Sequence, residues 1–261
     1  MKENESVPAL RRAVKILDLV AHHDTPLNAA SVARLLDLPR SSAHGLVSVM
    51  TELGLLEATS GHNGGYRLGR RLLDWVVQVS PHQDILNAFH QLVGEHPELG
   101  AYTVSLSTLD GDDVVYVASR VNEKGFGVHY NVGLRLPAMY TATGMAQLGA
   151  MDSISFRKWL TLYPLSSWPA PPSAAGSLTA ASVMDDIASV RQKGYAVDDE
   201  QIQAGVWCFA APVHDVTGAV VAGLGVSQPK PKSGHEKEAE SIGRLVVSLS
   251  HTLSLRLGYR G

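Results

Sequence analysis

The chain has 261 residues, 45% of them hydrophobic and 18% charged, with a net charge of −3. This is the balance of a folded globular protein with one large or two smaller domains, and it excludes a disordered chain. One cysteine excludes an intrachain disulfide framework or a Cys-rich zinc module, and no run of about 18 apolar residues offers a membrane span.

The opening MKENESVPAL is polar and lacks the apolar core of a signal peptide, so a cytoplasmic protein is expected. From Pro8 to about His22, Leu10, Val14, Leu17 and Val20 recur at helical spacing. A second short helix is expected over Ala30 to Asp37. In "LPRSSAHGLVSVMTELG", Pro39 suits the first turn of a third helix, because a helix start does not need its missing N–H. Leu46, Val49, Met50 and Leu53 form an apolar stripe, and Gly54 stops the helix. Ser41, Ser42, His44 and Ser48 take the opposite, wet face, with Arg40 leading in. Short strands around Leu55–Ala58 and Tyr66–Leu68 follow, joined by a Gly/Asn/His-rich tip.

Three helices and a two-stranded hairpin describe a winged helix-turn-helix over residues 1–69. Such a third helix lies in the major groove, where exposed side chains reach base edges and phosphates. Arg67, at the base of the wing, is placed to meet a phosphate. Residues 1–71 carry nine Lys/Arg against seven Asp/Glu, whereas residues 72–261 carry thirteen against eighteen. A basic head on an acidic body points the same way. From periodicity alone, a small helical subdomain whose Ser and His simply face solvent fits equally well. Residues 70–80 hold a strongly apolar helix, "RRLLDWVVQV" with its flanks, which packs either on a second copy of itself or on its own body.

Beyond residue 81 a helix is expected from Gln83 to Glu95, and then the period changes to two. "AYTVSLSTLDGDDVVYVASRV" reads as a hairpin with Asp110–Gly111 at its turn. A strand near Gly127–Asn131, short helices in "TATGMAQLGAM" and "SISFRKWL", and a Pro-rich loop through Trp168–Pro172 come next. Thr179 can cap a helix from Ala180 to Lys193. Strands near Val206–Val213 and Ala219–Ser227, turning at Asp215–Gly218, precede a last helix from Glu236 to Leu257. The expected class is therefore α+β, with an antiparallel sheet and flanking helices over residues 81–261.

The order and spacing of "RAVKILDLV", "LDLPRSSAHGLV", "YRLGRRLLD", "TATGMAQLGAM" and "GYAVDDEQIQAGVWCFAAPVHDVTGAVVAGLGVSQP" resemble the IclR family of bacterial transcriptional regulators, over nearly the whole chain. The resemblance implies an N-terminal winged helix on operator DNA, a linker helix, and a C-terminal domain similar to the GAF fold. It also implies a dimer or dimer of dimers whose DNA binding responds to a small molecule. Two positions depart from the family's pattern in the head: Gly45 replaces a basic residue, and Ala30 replaces a helix-capping Ser or Thr.

Alternation along the last hairpin bears on where such a small molecule binds. With a four-residue loop at Asp215–Gly218, His214 faces Ala219, Cys208 faces Gly225, Ala210 faces Gly223 and Val206 faces Ser227. Residues directly opposite share a sheet face. One face then carries small residues, Val206, Cys208, Ala210, Gly223, Gly225 and Ser227. The other carries Trp207, Phe209, Leu224 and Val226, and reads as core. The small face leaves either a concavity or a seat for a tightly packed helix.

The resemblance puts the effector at this face, with Asp198 of "GYAVDDE" and the main-chain N–H groups of Gly144 and Met145, at a helix start, holding a carboxylate. Gly225 stands where the family often has a second Ser. No HExxH, His-x-His or Cys-x-x-Cys spacing occurs, so no metal or cofactor is expected. Cys208 as a nucleophile would need a nearby base; His214 lies six residues along the strand, about 20 Å away. The reading is a ligand-responsive transcription factor. Its rival is a small-molecule sensor or thiol-dependent enzyme whose N-terminal domain makes protein contacts.

Overall fold

The computed structural model describes residues 7–59, 64–79, 83–122, 130–164, 166, 180–231 and 235–261. The chain divides into two compact units, Met1–Pro81 and His82–Gly261.

The first unit contains α1 (Pro8–Ala21), α2 (Ala29–Leu35), α3 (Arg40–Glu52), β1 (Leu56–Ala58), β2 (Tyr66–Leu68) and α4 (Arg71–Val79). Ile16, Val20, Val32, Ala43, Val47, Met50 and Leu56 form its core. The buried side of α3 is Ala43, Val47 and Met50, whereas Val49 and Leu53 of the expected stripe are about half exposed. The stripe through Ala43 is turned about 60° from one through Leu46, and small Ala43 is the side that fits against the core. Asn28, not residue 30, caps α2: its side chain accepts from the Ser31 N–H at 2.9 Å. The Ala30 departure therefore leaves this helix start capped. Pro39 precedes α3 as its N-cap residue, and Gly54, at φ +73, turns the chain out of it.

The second unit contains α5 (Gln83–Glu95), β3 (Thr103–Asp110), β4 (Asp113–Arg120), β5 (Arg135–Pro137), α6 (Ala142–Ala150), α7 (Ser153–Leu162), α8 (Ala180–Lys193), β6 (Ala196–Asp199), β7 (Val206–His214), β8 (Val220–Pro229) and α9 (His235–Arg256). Its six strands form one sheet in the order β5-β4-β3-β8-β7-β6, antiparallel throughout. Asp110 pairs with Asp113, so the β3–β4 turn is Gly111–Asp112, one residue later than expected. Most of the strand expected near Gly127–Asn131 lies outside the described residues; the outer neighbour of β4 is β5. The Pro-rich loop Trp168–Pro172 and the Thr179 cap also lie outside them.

Both sheet faces are covered. Trp207 and Phe209 of β7 and Leu224 and Val226 of β8 pack with Val104, Leu106, Phe89 of α5 and Leu249 of α9. Val206, Cys208 and Ala210 belong to a second cluster with Tyr116, Met145 and Ile187.

The β7–β8 register differs from the expected one. Asp215 N–H donates to Ala219 C=O, so the hairpin closes on a three-residue loop, and Val221 bulges out between Val220 and Ala222. Each feature slips the pairing by one residue. Cys208 therefore faces Ser227, Ala210 faces Gly225, and Val206 faces Pro229. A slip of two preserves which residues share a face, so the division into small and bulky faces stands while every partner changes.

Two stability measurements check this core and this cap. Phe209→Ala, which removes a ring with 0% exposure, is expected to cost about 3–5 kcal/mol in urea unfolding. Asn28→Ala is expected to cost ~1 kcal/mol, read on the transition of the first unit.

Candidate functional site

Two regions carry chemistry. In the first unit, α2 and α3 are joined by a tight turn in which Asp37 takes φ +51 and Leu38 N–H donates to Ala33 C=O at 2.8 Å. Arg40, Ser41, His44 and Ser48 are exposed on α3, and the last three recur at helical spacing on one side. Ser42 is half-buried and turned away from that row. A side chain at Gly45 would meet nothing within 4 Å, so the position where the family carries a basic residue is open surface. Arg67 pairs across the wing with Glu57 at 3.2 Å, both well exposed. An exposed pair of this kind contributes little and exchanges partners readily.

In the second unit a cavity lies between the small-residue face of the sheet and the start of α6. Asp198, Cys208, Gly225 and Ser227 all line it. So do Ser105 on β3, Tyr116 on β4, Tyr130, and Ala142 and Thr143, the first two residues of α6. In this structure it has room on the order of one water.

Gly144 and Met145 are not on its wall. The Gly144 N–H is taken by the capping Oγ1 of Thr141 at 3.0 Å, and the Met145 N–H by the Thr141 C=O at 2.9 Å. The residues of α6 that face the space are one turn-position earlier, at Ala142 and Thr143, where a helix leaves its N–H groups without an intrahelical partner. Val206 is buried in the second cluster but does not line the cavity either.

The polar groups of the cavity are unevenly satisfied. Asp198 Oδ1 accepts from the Gln201 N–H at 2.8 Å and the Ile202 N–H at 3.4 Å. The Cys208 thiol and the Tyr130 hydroxyl share a hydrogen bond at 3.2 Å, and Ser227 Oγ donates to the Thr103 C=O at 3.4 Å. Tyr130 stacks on Tyr116 with ring centroids 4.4 Å apart. Thr143 Oγ1 is buried beside the Tyr116 hydroxyl, with which it interacts.

Burial also sets the protonation states. It pushes the Asp198 carboxyl up to about 7, against the opposing pull of the two N–H donors and the Cys208 thiol. It raises the Cys208 thiol well above its ordinary range, with the neighbouring Asp198 charge adding to the effect. Both tyrosine hydroxyls rise for the same reason. Among the described residues no Lys, Arg or His lines the cavity, so the space holds hydroxyls, a thiol and one carboxyl that titrates near neutrality. A thiol held protonated, with no imidazole on that wall, is poorly equipped to act as a nucleophile.

Gly225 leaves less room than its missing side chain suggests. A Cβ there would lie 2.8 Å from Thr143 Cγ2 and 3.1 Å from Ser105 Oγ, so these side chains already occupy the position. Ser105 and Thr143 were nevertheless missed from sequence. Ser105 had a signal, because Thr103, Ser105 and Ser107 alternate with Val104 and Leu106 along β3. Tyr116 and Tyr130 had none, since their approach depends on tertiary packing.

These features define a helix-turn-helix protein with a separate α+β unit built around an internal polar cavity. Comparison with known proteins agrees. The model of the IclR helix-turn-helix domain matches residues 9–60, and that of the bacterial transcriptional regulator IclR C-terminal domain matches residues 77–254. The chain is 29% identical over 254 residues to the HTH-type transcriptional regulator XynR of Escherichia coli K12, covering 97% of this chain and 98% of that protein. It is 36% identical to the Agobacterium tumefaciens repressor BlcR, whose crystal structure superposes with a TM-score of 0.60 over 99% of this chain and 100% of that one. An IclR homologue from Microbacterium hydrocarbonoxydans, complexed with 4-hydroxybenzoate, shares the fold at 21% identity and TM-score 0.79, covering 95% and 98% of the two chains. The chain belongs to the IclR family of bacterial transcriptional regulators. Among the described residues no helix is long and apolar enough to cross a membrane.

The cavity carboxyl yields a test of its own. Asp198 holds its proton more tightly in the folded chain than at its ordinary value of 3.8. Stability is therefore greatest below about 4 on this account and falls as pH rises to about 7. Asp198→Asn keeps an acceptor for the two N–H groups but cannot ionise. Between pH 5 and pH 8 in urea unfolding, it is expected to gain on the order of a few kcal/mol relative to the unsubstituted protein. An equal difference at both pH values would exclude this ionisation.

Proposed function

We propose that the protein is a cytoplasmic, non-catalytic regulator in which Arg40, Ser41, His44 and Ser48 face the major groove and Arg67 meets a phosphate, with Ser42 supporting the helix start. Its operator binding is set by a small organic acid held in the cavity of the second unit, and it acts as a homodimer or dimer of dimers. The observation that carries the effector reading is the convergence of Ala142 and Thr143, at the start of α6, with Ser105, Asp198, Cys208 and Ser227 around one polar space. An acid oxygen fits the first turn of α6, where Ala142 and Thr143 offer N–H groups and a hydroxyl. This puts the carboxylate on Ala142 and Thr143 rather than on Gly144 and Met145. With no cation among the described residues of the wall, a protonated Asp198 is the state compatible with an anionic guest, and its hydroxyl can donate to a second ligand oxygen. The 4-hydroxybenzoate of the Microbacterium homologue makes hydroxylated aromatic acids the first compounds to try. An effector shifts DNA binding only by its differential affinity for the two states of the protein.

The experiment combines thermal shift with fluorescence anisotropy. Small aliphatic and aromatic acids, 4-hydroxybenzoate among them, are screened for stabilisation, and a stabilising acid is then added to the protein on a duplex from upstream of its own gene. The acid is expected to change the affinity for that duplex. Thr143→Val should abolish most of the stabilisation while leaving DNA binding by the free protein intact. Arg40→Ala should weaken DNA binding roughly tenfold without altering the stabilisation. The reading fails if no duplex is bound at low salt, or if stabilisation is indifferent to Thr143→Val and Asp198→Asn alike.

A further inference from the structure

Several cations of the first unit have no carboxylate partner among the described residues, and they gather at one end of the helix-turn-helix. Arg11, Arg12 and Lys15 of α1 line a groove whose other wall is Leu36 and Leu38, in the turn that leads into α3. Leu38 also walls a second groove, bordered by Ser31 and Arg34 of α2, by Asp37, and by Arg40 at the first position of α3. Five cations thus border two grooves that meet at Leu38, against a single carboxylate among the described residues. None of the five is ion-paired among the described residues, whereas Arg67, Arg135, Lys230, Arg244 and Arg256 all are. Arg11, Lys15, Arg34 and Arg40 are exposed, and Arg12 is half-buried.

Like charges gathered with so little counter-charge repel one another. A polyanion would offset that repulsion. Both grooves border the turn that leads into α3, and a helix that enters the major groove by its N-terminal end has phosphates beside it at the groove's edge. The apolar wall formed by Leu36 and Leu38 can lie against deoxyribose while the cations reach phosphate oxygens. The geometry points to a second backbone-binding face, in which Arg11 and Lys15 of α1 and Arg34 of α2 hold the phosphates of the same duplex whose bases face α3. The inference rests on the reading of α3 as the element that meets DNA, and it extends the contact to two helices that carry none of the base-facing residues. These contacts add affinity without adding sequence information, because phosphates are the same at every step.

Salt titration separates this face from its alternatives. Binding of the full chain is measured by anisotropy on two duplexes of equal length, one from upstream of its own gene and one unrelated, from low to moderate salt. For Arg11→Gln/Lys15→Gln, the slope of log affinity against log salt is expected to become shallower by about 2 on both duplexes, about one for each phosphate that is no longer neutralised. For Arg34→Gln the expected change is about 1. The preference for the upstream duplex should be preserved in both variants. Arg244→Gln, in the second unit, should leave the slope unchanged. All variants are first shown to melt like the parent, and the single Lys15→Gln change, with about 1 expected, replaces the double variant if that one does not. An unchanged slope overturns the proposal while leaving DNA binding through α3 intact. Weakening confined to the upstream duplex also overturns it, because it would mean base reading. Failure of the parent to bind either duplex removes the reading of α3, and this proposal with it.

Discussion

The second unit depends on how closely α6 can approach β8. A Cβ at Gly223 would lie 2.5 Å from the Thr143 carbonyl oxygen, and one at Gly225 would collide with the Thr143 side chain. Two glycines on the inward face of the strand let the helix settle almost onto the backbone of the sheet. That seat brings the first turn of α6 over Ser105, Cys208 and Ser227 and closes the cavity from above. It also explains why eight consecutive residues of α6, Ala142 to Gly149, are buried. The glycines thus set how closely the first turn of α6 approaches the sheet.

Electrostatics divides the two units by kind. The inner space of the second unit is lined by acceptors and weak donors with no positive charge among the described residues, and burial makes its one carboxyl resist ionisation. The first unit keeps positive charge at its surface, with several cations unpaired among the described residues. Burial governs chemistry in one unit by deciding which groups keep their protons. Exposure governs it in the other by leaving charges free to meet a polyanion. The same composition, with a net charge of only −3, hides both.

Much of the fold was legible in the sequence because its signals are local. Helical spacing gave the nine α-helices among the described residues to within a few positions, and alternation separated the bulky from the small face of β7 and β8. The buried side of α3 was misread because Leu46, Val49 and Leu53 outweigh Ala43 in any apolar pattern, yet small Ala43 is what lets the helix dock. The partners across β7–β8 were misread because a three-residue loop and a bulge at Val221 leave no mark in residue type. The candidate site was half legible. Asp198, Cys208, Gly225 and Ser227 follow from alternation and motif position. Thr143 in place of Gly144 and Met145 turns on which helix N–H groups the Thr141 cap consumes. Tyr116 and Tyr130 come together only through the packing of two distant segments.

The bulge at Val221 has a consequence for how this hairpin tolerates change. Loop closure and bulge each displace the strands by one position, and only their combination returns Cys208, Gly225 and Ser227 to a common side. The hairpin therefore obeys a parity rule. A shift of the pairing by two leaves the cavity wall in place, whereas a shift by one turns the wall toward the core and the aromatic rings toward the cavity. The turn at Asp215–Ala219 and the bulge at Val221 together thus set which side chains face a cavity that the turn itself does not line.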